Sequence, residues 1–470
     1  MQLSHDLSQT SAVFDEDNLV ACAGLVPVMA LARRAGLGAL VGRHLTLKGP
    51  GAPNAPAKVA CLVAGMAAGA DSIEDMDLLR HGAMTKLFGG LRAPSTLGVF
   101  LRSFSFGHAR QLEAVATRFL AALAGRAPLL PDADAVSFVD VDDTIKATYG
   151  YAKQGAGYGY SGVKGLNALI ATVSTPQAAP VIAATRLRAG SAASVRGAGK
   201  FVADAISAAR AAGAGGPDGT GLVIVRADSA YYTHTVVAAA RRAGARFSIT
   251  TGNNPSVRAA ITTIDEDAWT AIEYPEAVWD EQDQRWVSDA QVAEVPYTAF
   301  TGRPQRQQVT ARLIVRRVKR LNPTATAAGQ GEMFTAYRYH AVFTDSPMEL
   351  LQAESQHRGH AVIEGVHADL RDGPLAHLPS GSYAANAAWL ACAAMTYNLL
   401  RAAGTLTNST LTKARGATLR ARLVAVPARV ATSARRLTLH LPTRWPWHRA
   451  WELLNEAVRA TSPPPRPAAA

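Results

Sequence analysis

The sequence predicts an α/β protein: a mixed sheet flanked by helices, with a helical N-terminal region and a β-rich insertion. Three observations carry this reading. Two short runs rich in β-branched residues, 136–142 and 222–227, are each followed or closed by a carboxylate, Asp142 and Asp228. Alanine-rich helical stretches at 191–212 and 234–243 alternate with them. Composition shifts at residue 252 toward Trp, Tyr and acidic side chains, and shifts back near residue 345.

At 470 residues the chain is long enough for two or three domains, and 48% hydrophobic content fits a globular protein. A formal charge of +12 and a pI near 9.8 point to a polyanionic partner. Cys22, Cys61 and Cys392 lie far apart in apolar contexts, which suits buried small hydrophobes and neither a zinc pattern nor a disulfide framework. The first residues are polar and include Asp6, unlike a secretory signal. The apolar run 19–32 is too short to span a bilayer and contains Pro27. A cytoplasmic protein without a membrane partner is expected.

In chain order, residues 1–130 read as a helical domain for DNA binding or dimerisation. Ser72 and Asp75 mark a helix start before Met76, Leu78 and Leu79. Pro94 and Ser95 precede one long helix, 97–123, with Val99, Phe100, Phe104, Leu112, Val115 and Phe119 on its apolar face. A proline-containing linker at 127–134 leads into the strand 136–142. The stretch 149–165 carries Gly155, Gly157, Gly159, Gly162 and Lys164. Val163 interrupts the Gly-Lys pair, and a strand follows instead of a helix, so a hairpin fits and a phosphate-binding loop does not.

Residues 166–175, 222–227 and 246–251 complete a β-β-β-α-β-α-β order within a catalytic domain, 131–402. The β-rich insertion covers about 252–345; in it 309–319 alternates and is basic on one side, 323–331 is a loop, and 337–344 returns to the core. A helix at 354–370 then sets His357, His360, Glu364 and His367 on one stripe. An apolar helix, 383–402, follows. From residue 401 onward there are 12 Lys or Arg against two Glu, so most of the net charge lies in a basic tail, 403–470, whose proline-rich end reads as disordered.

Asp142 and Asp228 at strand ends and Glu364 on a later helix are oxygen donors of the kind that hold two Mg²⁺ ions for in-line displacement at phosphorus. Strand side chains alternate. Phe138, Asp140 and Asp142 therefore share one face, while Val139, Val141 and Asp143 share the other. Asp142 is the preferred inner ligand, since it lies nearer the strand end. Asp140 has a supporting role, orienting a cation or binding a second one.

Three separated motifs resemble one family. VDVDDT (residues 139–144), RADSAYY (226–232) and HRGHAVIEGVHADLRDGPLAHLP (357–379) are similar to those of DDE transposases of bacterial insertion sequences, most of all the IS1380 family, a relative of the IS4 group. The resemblance runs from about residue 14 to 402, in order, with the insertion between the second and third motifs. It implies an RNase H-like core and cut-and-paste movement of an element bounded by inverted repeats. It also implies catalysis by Asp142, Asp228 and Glu364 with Mg²⁺, for which Mn²⁺ substitutes. The partners implied are DNA and, in the DNA complex, a second copy of the chain. The wider group has Tyr, Arg and Lys around the glutamate. Those positions here hold His357, His360 and Arg371, which with Arg358 are the expected DNA contacts.

Two other readings compete. One is a zinc hydrolase using His357, His360 and Glu364, against which stand the lack of HExxH and the idle strand aspartates. The other is a non-catalytic DNA-binding protein derived from a transposase. Convergence of the three carboxylates favours the transposase; convergence of the histidines alone favours zinc.

Overall fold

The computed structural model describes all residues except 2–3, 50, 150–151, 273–277, 281–284, 288–289, 320–336 and 461–470. The proline-rich C-terminal end, the loop at 323–331 and several of the insertion's acidic residues lie outside the described residues.

Helices α1 (Leu25–Arg34), α2 (Leu37–His44), α3 (Ala55–Ala68), α4 (Met84–Leu87), α5 (Pro94–Arg102) and α6 (Phe106–Ala124) open the chain after the short strand β1 (Leu19–Val20). The single helix expected at 97–123 is two. Ser105 breaks it by accepting the His108 N–H, while His108 reciprocates, a capping box that satisfies the free amides of a new helix start. Further on, α7 (Ala198–Ala211), α8 (His234–Arg242) and α9 (Pro255–Ile261) alternate with strands. Helices α10 (Leu350–Arg358), α11 (Val362–Arg371) and α12 (Tyr383–Thr405) follow the sheet. Helix α12 is buried from Ala384 to Gly404 and packs against α3, α6 and the sheet. One continuous apolar core therefore joins the N-terminal helices to the strands.

The main sheet is mixed and ten-stranded. Its strands are β2 (Val136–Ala147), β3 (Gly157–Tyr158), β4 (Lys164–Ser174), β5 (Val181–Ala189), β6 (Leu222–Ala227), β7 (Arg246–Thr250), β8 (Thr270–Ile272), β11 (Ala290–Ala299), β12 (Val309–Lys319) and β13 (Tyr337–Thr344). From one edge the order is β5-β4-β2-β6-β7-β13-β12-β11-β8, with β3 also on β4. Strands β2, β6 and β7 run parallel; the rest pair antiparallel. Among the described residues, the insertion therefore extends the sheet from β7, and only β9 (Val278–Asp280) and β10 (Arg285–Val287) pair apart.

Strand β2 does not end at Asp142, as the sequence suggests, but runs to Ala147. What ends is its neighbour. The parallel register pairs Asp140 with Arg226 and Val141 with Ala227, the last residue of β6. Beyond that level β2 keeps only β4 beside it, and its burial changes from complete to partial. The carboxylates sit at this step, because there the strand first meets water without losing its backbone ladder.

The C-terminal segment is folded. Strands β14 (Ala428–Ser433) and β15 (Arg436–His440) form a hairpin paired with β1. Helix α13 (Gly416–Leu419) precedes it, and α14 (His448–Arg459) packs on α1, with Arg34 donating to the Arg459 carbonyl at 3.1 Å.

Candidate active site

Two strand-borne aspartates reach one level at the step between β2 and β6. Asp142 follows the last β6-paired residue of β2, and Asp228 follows the last residue of β6. Asp228 caps a short 3₁₀ turn, its Oδ1 accepting the Ala230 N–H at 3.0 Å. Burial, and then the neighbouring Asp142 charge, push the Asp228 carboxyl above its ordinary value. Two carboxylates at one level of the sheet favour a shared cation.

Alternation divides the aspartates between faces. Asp143 turns to the side of β4 and β5, where it accepts the Tyr231 hydroxyl at 2.6 Å, pairs with Arg188 at 3.0 Å and takes an amide hydrogen bond from Asn167. Asp140 and Asp142 face α11 and the turn before it. Asp140 is 0% exposed, and Arg226 grips it with two hydrogen bonds of 2.7 Å. His360 Nδ1 lies 2.9 Å from its Oδ1. Burial opposes charge on Asp140, but Arg226 and His360 outweigh it and hold the carboxyl below its ordinary value. The cation expected at Asp140 is thus a guanidinium of the chain itself, which leaves its oxygens little capacity for a metal.

The helix expected at 354–370 is broken into α10, a 3₁₀ turn at Gly359–Ala361, and α11. A Cβ on Gly359 would stand 2.8 Å from Arg226 Nη1, so glycine lets the buried guanidinium pass. The break also splits the expected stripe. His357 turns to β7, with Nδ1 at 2.9 Å from Ser248 Oγ and Nε2 at 2.9 Å from Thr250 Oγ1. His360 turns to Asp140. Glu364 is exposed and carries no hydrogen bond or ion pair among the described residues. His367 is 1% exposed, and its Nε2 stands 3.2 Å from Asp142 Oδ2 without the alignment of a hydrogen bond.

Among the described residues no three His, Cys, Asp or Glu side chains come together closely enough to hold a metal ion. The expected convergence of Asp142, Asp228 and Glu364 is not complete: the aspartates stand at one level of the sheet, while Glu364 faces solvent from the first turn of α11. A third carboxylate added to two that already repel each other has no reason to close without a cation. The histidines do not converge either, since both His357 nitrogens are taken by hydroxyls, which removes support from a zinc site. Of the expected DNA contacts, Arg371 is exposed, and Arg358 is drawn to Glu354, with Nε 2.9 and 3.0 Å from its two oxygens.

Burial, with smaller contributions from His360 and Arg226, lowers the His357 pKa from 6.5 to about 3. The folded state thus keeps this ring neutral where the unfolded chain protonates it. Its contribution to stability is complete above pH 6.5 and is lost as pH falls toward 3. The slope approaches roughly 1.4 kcal/mol per pH unit for this one proton. Melting followed across that range should show a weaker acid dependence in His357→Gln than in the wild type; equal slopes would contradict the assignment.

Arg226 has no role in the sequence reading, although a charged residue inside the buried run LVIVRA signals a buried partner. Its partner, Asp140, is identified only by the parallel register. A family model described as transposase DDE domain group 1 matches residues 5–463, nearly the whole chain. No curated protein matches the sequence.

Proposed function

The chain belongs to the transposase DDE domain group 1 family, and from that premise we propose that it is the transposase of a bacterial insertion sequence of the IS1380 family. It binds the inverted-repeat ends of its element as a homodimer, then cleaves and joins DNA strands in a cut-and-paste reaction. Membership alone implies action on DNA, nuclease or transferase chemistry, and use of divalent metal ions in general. The finer reading rests chiefly on one observation: the parallel register of β2 and β6 brings Asp142 and Asp228 to one level, where the Asp142 charge adds to burial in raising the Asp228 pKa. The order β5-β4-β2-β6-β7 supports an RNase H-like core around them.

Asp142, Asp228 and Glu364 would hold Mg²⁺, or Mn²⁺ in its place. The donor set is all oxygen, which suits these hard cations. Bound there, two ions would activate the attacking oxygen and stabilise the leaving one. Glu364 has no partner among the described residues and would have to leave solvent to join the aspartates. Arg371, one helix turn past His367, is free to meet phosphate. DNA carrying the element's own ends should be cleaved when Mg²⁺ is added and left intact in chelator. Cleavage that persists in chelator would overturn the metal-dependent reading.

The basic C-terminal segment offers a grip on phosphate in a form the sequence did not suggest. Because it is folded onto β1 and α1, deleting it would damage the fold as well as any hold on DNA. Arg435 and Arg436 at the exposed hairpin tip carry no ion pair among the described residues. If both touch phosphates, replacing both by Ala flattens the slope of log affinity against log salt by roughly 0.9 for each phosphate no longer neutralised. An unchanged slope would assign the hairpin to packing alone.

A further inference from the structure

We propose that His360 is a catalytic proton acceptor, held in the required tautomer by Asp140 and Arg226. The inference rests on the transposase reading above but concerns a residue outside its carboxylate set. Arg226 is always protonated and binds both Asp140 oxygens at 2.7 Å, so Asp140 is a carboxylate that only accepts. His360 Nδ1, 2.9 Å from Oδ1, must then carry the hydrogen. In the neutral ring this leaves the lone pair on Nε2. That nitrogen has no partner among the described residues, and the side chain keeps 15% exposure. The ring is held at Asp140, which shares its face of β2 with Asp142 two residues on.

The ring is fixed in place before any substrate arrives. Arg226 donates to the Gln356 carbonyl as well, lies 4.1 Å from the Phe138 ring centroid, and fills the space that a side chain on Gly359 would need. An aspartate orienting a histidine that serves a nucleophile is a recurrent solution on unrelated folds. In the hydrolytic step, the proton of the attacking water passes to Nε2 as the new O–P bond forms. The P–O3′ bond breaks, the 3′ oxygen takes a proton from solvent, and His360 later returns its own to solvent. Charged or titratable groups facing the ring are Asp140 on β2, Arg226 on β6, Asp228 beyond it and His357 on α10.

Two amide substitutions separate the two ring nitrogens. His360→Asn keeps a donor where Nδ1 stands but has nothing at Nε2. His360→Gln reaches toward Nε2 but leaves Asp140 short of a donor. His360→Asn should melt with the wild type. It should cleave about 10²- to 10⁴-fold more slowly. His360→Gln should melt lower. Wild-type cleavage with Asp142→Asn inactive is the control for the underlying reading. If that control holds and His360→Asn cleaves at the wild-type rate, the proposal is overturned. Equal loss of melting temperature in both variants would reduce His360 to a structural residue. A wild type that cleaves no end DNA overturns the transposase reading itself, and this proposal with it.

Discussion

Asp142→Asn, Asp228→Asn and Glu364→Gln should each abolish strand cleavage while leaving binding to the element ends intact. Each substitution removes one anionic oxygen and almost no volume, so the fold has little reason to respond. Asp142 and Asp228 lie at the level where β6 stops, and burial together with the Asp142 charge raises the Asp228 pKa. Neutralising either aspartate relieves that repulsion, so the folded protein should be no less stable, and slightly more so in the absence of metal. The expected loss in rate is on the order of 10³-fold or more, since a bound cation contributes several kcal/mol to such a transition state. Gel-shift affinity in chelator, beside cleavage in Mg²⁺, separates the two effects. A variant that cleaves normally would remove its residue from the set. Glu364 is the sharpest test, because it must move to join the aspartates.

The second large effect concerns stability. Asp140→Ala and Arg226→Met should each destabilise the protein by roughly 3–5 kcal/mol, because each leaves a buried charge without its partner. Asp140 is 0% exposed and Arg226 is 3% exposed, so neither can recover hydration in the folded state. The double replacement Asp140→Leu with Arg226→Met should cost less than the sum of the singles, since no uncompensated charge remains. Urea unfolding of the four proteins measures this directly. Additive losses would mean that the pair is solvated or weak. This expectation replaces the sequence-based role of Asp140 as a cation ligand. Partial rescue of Asp140→Ala cleavage by Mn²⁺ would restore that role and count against the ion-pair assignment.

Much of this protein was legible in the chain itself. Short β-branched runs followed or closed by aspartate, alanine-rich helices between them and a shift of composition at residue 252 give an α/β protein with a mixed sheet. Alternation along VDVDDT separates Asp143 from Asp140 and Asp142, because in a strand the face follows from sequence parity alone. The family follows from three motifs in order, and the match covers nearly the whole chain. Local capping chemistry is less legible: Ser105 splits a helix whose apolar pattern is continuous across it.

What the sequence left open depends on which strands are neighbours. Asp140 lies 86 residues from Arg226 in the chain, and only the parallel register makes them a pair. The same register, not the end of β2, defines the level at which Asp142 and Asp228 meet. An ideal helix at 354–370 would align His357, His360, Glu364 and His367, but the Arg226 guanidinium against Gly359 accompanies a break that sends them to different partners. Composition and periodicity report burial and local conformation residue by residue. The partner of a buried charge is chosen by contacts between distant segments, and those exist only once the sheet has assembled.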